Sequence, residues 1–277
     1  MGDVTGYGAA PPPPPPEPPG GGALPSRGLG DILSTAFQIY TKNAGQLILI
    51  VAIVVVPLSL ISFLLTDVVF NGTTEDVGGI EVTTRTFAVF LGATLAALAI
   101  SVIISAILQA ALLRAAAQGT IGDPVDINTS YRWGLSRFGS VLLVSILVGL
   151  SVAIGFLLLI IPGIFLLVML SVSIPAVVVE NKRGTDAMRR SWDLVKGHFW
   201  HVLGVILVAA ILTGLVSGLI SAIGSGNRFV GLITGMIAQI LVAPFSALVS
   251  VVLYLDLRAR TEMLTANQLR GELASNT

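Results

Sequence analysis

Between Val141 and Val179 the chain runs for 39 residues without a charged side chain. As one α-helix that stretch would measure about 58 Å, roughly twice the hydrocarbon thickness of a bilayer. It therefore has to turn. Pro162 and Gly163 stand near its middle, and a Pro-Gly pair marks a turn. Two antiparallel spans are expected, 141–160 and 164–179. A re-entrant hairpin opening to the same side fits the same residues and stays open as an alternative.

Four more apolar runs flank this one. Residues 47–65 provide 19 uncharged positions, enough to cross a core of about 30 Å. Residues 87–113, 202–223 and 230–254 follow the same pattern, the last two joined by the short loop GSGNRF. Only 11% of the residues are charged and the mean hydropathy is +0.92, whereas a water-soluble domain carries about 25% charge. Too little polar surface remains to cover a soluble globule. The expected fold is an all-α polytopic membrane bundle of about six transmembrane helices.

Charge placement tests that number. With six spans, thirteen of the fifteen Lys and Arg residues fall on one side, leaving only Arg85 and Arg228 on the other. Cytoplasmic loops are the basic ones, so both termini are expected in the cytoplasm of a multi-pass cell (inner) membrane protein. If 141–179 crossed only once, the five basic residues of 180–200 would lie on the wrong side. Residues 1–26, with their polyproline and glycine, cannot build a core and are expected as a disordered cytoplasmic tail. The membrane domain is expected over 27–262 and a second cytoplasmic tail over 263–277. No apolar signal-peptide region opens the chain. The absence of cysteine excludes disulfides, thiolate metal sites and cysteine nucleophiles. The zero net charge gives no reason to expect a nucleic-acid partner.

Three segments ahead of spans one, three and five share a pattern. The first sets Leu29, Ile32, Leu33, Ala36, Phe37, Tyr40 and Ala44 on one helical face. The second begins with Asp123 as N-cap and Pro124 at the first helical position, then aligns Ile127, Tyr131, Leu135 and Phe138. The third has Thr185 as its cap and Met188, Trp192, Val195 and Phe199 in line. Each carries an acid early and a base late: Asp31 to Lys42, Asp126 to Arg137, Asp186 to Lys196. They are expected as amphipathic helices lying in the interface, each followed by a membrane hairpin, which suggests a threefold internal repeat.

Candidate chemistry is sparse. His198 and His201 stand three apart without a third ligand nearby in sequence, beside Phe199 and Trp200, and are expected as interfacial histidines. Asp67, Glu75, Asp76 and Glu81 make the first outer loop acidic, in a spacing that matches no calcium loop; Asn71-Gly72-Thr73 is a glycosylation sequon. No metal or other cofactor is expected. Within the spans Thr94, Ser101, Ser105 and Gln109 form one polar stripe, and Gly235, Gln239, Ser246 and Ser250 another. With the small-residue pairs Gly214/Gly218 and Gly231/Gly235, these are helix-packing devices in lipid, or else a polar path across it. Segment 182–201 offers Lys182, Arg183, Arg189, Arg190 and Lys196, with Trp192 at headgroup level, as candidate contacts for anionic lipid headgroups, centred on Arg189 and Arg190.

The stretch Ile160–Gly204 carries a Pro162-Gly163 break, Pro175, Glu180, Arg189-Arg190 with Ser191-Trp192, then Leu194, Gly197 and Phe199-Trp200. In these features it resembles the membrane domain found ahead of some glycerophosphoryl diester phosphodiesterases, and related stand-alone bacterial membrane proteins. The resemblance extends over residues 27–262 and implies fold and location. In the fused proteins the activity belongs to a separate soluble barrel, and the short segment after Glu262 is not expected to hold one, so no active-site residue carries over. The expected function is a non-catalytic scaffold or accessory module at the cytoplasmic membrane face, with the lipid bilayer and a protein at that face as partners. A small-molecule or lipid carrier is the rival reading, and a membrane component of glycerophosphodiester metabolism the weakest.

Overall fold

The computed structural model describes residues 26–66, 84–122, 124–262 and 264–275. The proline-rich segment, the acidic loop with its sequon, and Asp123 lie outside the described residues, as does the side chain of Thr94. Ten α-helices form among the described residues: α1 (Leu29–Lys42), α2 (Ala44–Thr66), α3 (Thr84–Thr120), α4 (Ile127–Leu158), α5 (Ile160–Met169), α6 (Ser173–Glu180), α7 (Thr185–Val195), α8 (Phe199–Ile223), α9 (Arg228–Glu262) and α10 (Ala266–Ser275). Six helical segments are long and apolar enough to cross a membrane, α5 and α6 together forming one of them. In the most apolar window of α8 only 6% of residues are buried by protein. Leu207, Ile211, Leu215 and Leu219 stand exposed along it, an apolar surface of the kind that faces lipid. The chain is a multi-pass, all-α membrane bundle.

The spans pair as three hairpins, α2–α3, α4–α5/α6 and α8–α9. All three open toward one end, called the base here. There Asn43 ends α1 next to Gly119 of α3, and the Arg27 amide reaches Asp256 of α9. At the far end Phe63 meets Phe229 edge-on at 6.3 Å, and Arg228 lies over the Phe63 ring at 4.6 Å. An amphipathic helical segment precedes each hairpin, as the sequence pattern predicts. The second is not a separate helix, however. α4 runs unbroken from Ile127 to Leu158, because neither a proline nor a buried polar break separates the amphipathic segment from the span. Its cap is Asp126, whose carboxylate accepts from the Asn128 amide at 3.0 Å, and Pro124 stays outside the helix. Nor is Thr185 a cap. It is the first residue of α7, and Gly184 precedes it at φ +52°.

The turn in the long apolar run falls three residues earlier than Pro162. α4 ends at Leu158, Leu159 alone is extended, and Pro162 sits in the first turn of α5. A proline ring clashes with the carbonyl four residues back, here Leu158, which favours a break there, although Pro57 and Pro244 lie inside unbroken helices. In a first turn the missing N–H costs nothing. Gly155 and Gly163 then let the two arms touch: a Cβ at Gly155 would stand 3.0 Å from the Gly163 Cα. The apex, Leu157 to Ile161, is wholly apolar and 69–86% exposed.

α3 and α4 approach as closely. A Cβ at Gly134 would stand 3.1 Å from the Ile107 carbonyl oxygen, and Ala110, Ala111 and Ala115–Ala117 are buried on α3. Small residues of this kind let backbones meet where lipid is the solvent. The last turns of α9 form the centre of the base, where Val251 to Arg258 are buried without interruption. α1, α6, α7 and α10 close around them. Residues 266–275, expected in a tail, form α10, which buries Leu264 and Leu269. Its start is a reciprocal cap, the Gln268 amide donating to Thr265 Oγ1 at 3.3 Å and the Thr265 amide to Gln268 Oε1 at 2.9 Å.

Candidate functional site at the base of the bundle

The charged residues of the base come from four helices. Glu180 ends α6 and is the hub. Its Oε1 accepts from Arg190 Nε at 2.9 Å and Nη2 at 2.7 Å, and Arg258 Nε stands 3.1 Å away. The Tyr254 hydroxyl donates to the same oxygen. Arg190 also pairs with Glu262. Arg258 donates from Nε to Glu262 at 3.0 Å and through both terminal nitrogens to Glu272 of α10, at 2.6 and 2.9 Å. Tyr254 and Arg258 are buried, and the side chain of Glu180 is 10% exposed. Three carboxylates against two guanidinium groups leave the cluster close to neutral, the condition for holding charge out of water.

A second group adjoins it. The fully buried Asp256 accepts from the Arg27 amide at 2.5 Å and from Arg260 Nε at 2.7 Å, and His201 Nε2 lies 3.2 Å from it. The chain entering α1, the first turns of α8 and the end of α9 are thereby tied to one carboxylate. His201 thus has a structural partner, while the buried Nδ1 of His198 has no hydrogen-bond partner. Among the described residues no three His, Asp or Glu side chains gather closely enough to hold a metal ion.

The candidate headgroup residues divide. Lys182, Arg183, Arg189 and Lys196 are exposed. Trp192 is 36% exposed and meets Phe165 edge-on at 5.6 Å, while Phe165 stacks on Phe199 at 5.6 Å. Arg190 differs. Its guanidinium pairs with Glu180 and Glu262, and its side chain is 19% exposed. Burial opposes its charged form, but the hydrogen bonds it donates to Glu262 and Glu180 outweigh that and hold it above the usual arginine value. The inward face of α7 is also rotated from the expected Met188–Trp192–Val195 line. Val195 of that line is buried, but Ala187, Ser191 and Leu194 are buried with it in place of Met188 and Trp192. Ser191 explains the rotation, since its hydroxyl donates to the Met169 carbonyl at 2.8 Å and accepts from the Val172 amide at 3.3 Å. It satisfies backbone groups freed by the break between α5 and α6.

Of the polar stripes of the second and sixth spans, Ser105, Gln109, Gln239 and Ser246 are exposed, and Ser101 and Ser250 are half-buried. A cavity at the base between Arg27, Thr35, Thr120, Val252, Leu255 and Leu269 measures about 130 Å³, below the range of about 300 Å³ and upward at which small-molecule sites begin. What this arrangement does chemically is fasten: its buried ionisable groups are paired with one another. No family model matches this chain, and neither does any curated protein or solved structure.

Proposed function

We propose that this protein is a non-catalytic, polytopic inner-membrane scaffold or accessory module, presenting its base at the cytoplasmic face. One observation carries the reading. Glu180, Arg190, Arg258, Glu262 and Glu272 lock four helices into a single platform, and the basic residues around it, Lys182, Arg183, Arg189 and Lys196, are left exposed. Such a surface suits an acidic partner or the headgroups beside it. The thirteen-to-two split of basic residues supports a cytoplasmic base. The likeness to the membrane domain of glycerophosphoryl diester phosphodiesterases supports an accessory role beside an enzyme over catalysis by this chain.

Reconstitution into liposomes tests the reading. Lipid scrambling and small-solute flux are expected to equal those of protein-free vesicles. Photo-crosslinkers placed at Arg189 and Lys196 in cells are expected to give a discrete protein adduct. Flux above background that Gln109→Leu with Gln239→Leu abolishes would replace the scaffold by a carrier.

A further inference from the structure

Each arginine of the central cluster meets a carboxylate, and so does Arg260. Arg137 and Arg183 do not: among the described residues no carboxylate lies within ion-pair distance of either. They flank one open cleft of about 530 Å³, between the early turns of α4 and the α6–α7 turn. Ser136 and Ser140 bring hydroxyls to its lining, Phe138 and Leu143 apolar walls. A side chain at Gly139 would meet nothing within 4 Å, so the cleft is open there.

Its geometry is held from behind by a neutral group. Arg137 Nη1 donates to the Asn181 side-chain oxygen. Asn181 is the left-handed residue that ends α6, at φ 56°. The contact orients the guanidinium and leaves its charge uncompensated. Glu180, next in the chain, is already engaged by Arg190, Arg258 and Tyr254. The Ser136 hydroxyl donates to the Trp133 carbonyl at 2.8 Å, and that of Ser140 makes no hydrogen bond among the described residues, so it can donate outward. Below the cleft the face of α4 continues through Leu143, Ile146 and Leu150, each 50–56% exposed. Their spacing of three and four makes one lipid-facing stripe.

We propose that this cleft binds the phosphate of an anionic phospholipid, with Arg137 and Arg183 as its charged ligands and the acyl chains lying along the α4 stripe. Two planar guanidinium forks from different elements grip a phosphate where neither alone would select it. The apolar stripe continuous with the cleft favours a lipid over a soluble phosphate. The assignment stands whether the protein acts as a scaffold or a carrier.

Native mass spectrometry tests it, on full-length protein titrated with phosphatidylglycerol and with phosphatidylcholine at matched ionic strength. Wild type is expected to retain one phosphatidylglycerol in preference to phosphatidylcholine. Arg183→Gln and Arg137→Gln/Arg183→Gln are each expected to weaken that retention about tenfold or more. Lys42→Gln/Arg132→Gln, at two exposed bases outside the cleft, removes equal charge and is expected to change it by less than about twofold. Equal losses in both double variants would mean diffuse attraction and overturn the site, as would unchanged retention in Arg183→Gln. Arg183 is exposed and makes no side-chain hydrogen bond among the described residues, so that single variant decides the matter even if loss of Arg137 unfolds the chain. Glycerol phosphate is expected not to displace the bound lipid; displacement at equal concentration would make this a soluble-phosphate site and overturn the lipid assignment.

Discussion

Glu180 shows how much one side chain can hold when water is absent. Two arginines and a tyrosine converge on it, so replacing it removes the one charged acceptor these three donors share, although Glu262 and Glu272 still face the two guanidinium groups. Losing a hydrogen bond to a charged group costs about 1.5–3 kcal/mol. Glu180→Gln is therefore expected to lower the melting temperature in detergent sharply, while exposed Arg189→Gln changes stability by less than about 0.5 kcal/mol. Similar melting curves for the two variants would deny the cluster its role. Asp126 makes a smaller, pH-dependent contribution. The Thr129 hydroxyl, and then the amides of Asn128 and Thr129, hold its carboxyl below the usual value. A lowered folded pKa means the stabilisation is complete above the usual carboxylate range and is lost as pH falls through the lower folded value. The melting temperatures of Asp126→Ala and wild type are expected to differ at neutral pH and to converge in acid.

At the level of elements, the hairpins were legible in the sequence because length and charge leave few choices. A 39-residue uncharged run must fold back, and its proline marks the favoured place, once the clash is counted four residues upstream. Sequence spacing could not reveal the partners of Arg190, which come from Glu180, ten residues away, and from Glu262, in another helix. The i, i+4 series Tyr254, Arg258, Glu262 on α9 was a visible hint of a polar face at the end of a span. α10 shows weakly in the sequence because, among the described residues, Leu264 and Leu269 are its only buried apolar anchors and its salt bridge to Arg258 comes from another helix, although Thr265 and Gln268 spell a capping box. Two glycines of α4 separate local propensity from packing. Gly149 has nothing within 4 Å of a would-be Cβ, whereas one at Gly155 would meet the backbone of α5. Gly149→Ala is expected to be neutral or stabilising by up to about 1 kcal/mol, and Gly155→Ala destabilising. Detergent melting curves in the opposite order would mean the hairpin arms do not touch there.

For the whole molecule, three hairpins opening to one end give the topology a simple test. Reporter fusions after Gly79 and Asn227 are expected on the outer side, and fusions after Gly122, Gly184 and Thr277 on the cytoplasmic side. An inner signal at Gly79 would overturn the arrangement. The far ends of the hairpins are not equivalent, however. The α8–α9 turn carries Asn227, which accepts from the Phe229 and Val230 amides, and Arg228, over Phe63. Such polar groups favour the headgroup layer of a bilayer. From Val152 to Leu170 the α4–α5 apex has no polar side chain to tie it to anything. A bilayer that thins or thickens therefore drags one turn with its surface and leaves the other at its own depth. Hydrophobic mismatch then acts as a shear between the second hairpin and the third. Phe165, stacked on Phe199 and set against Trp192, lies on the seam where that sliding is taken up.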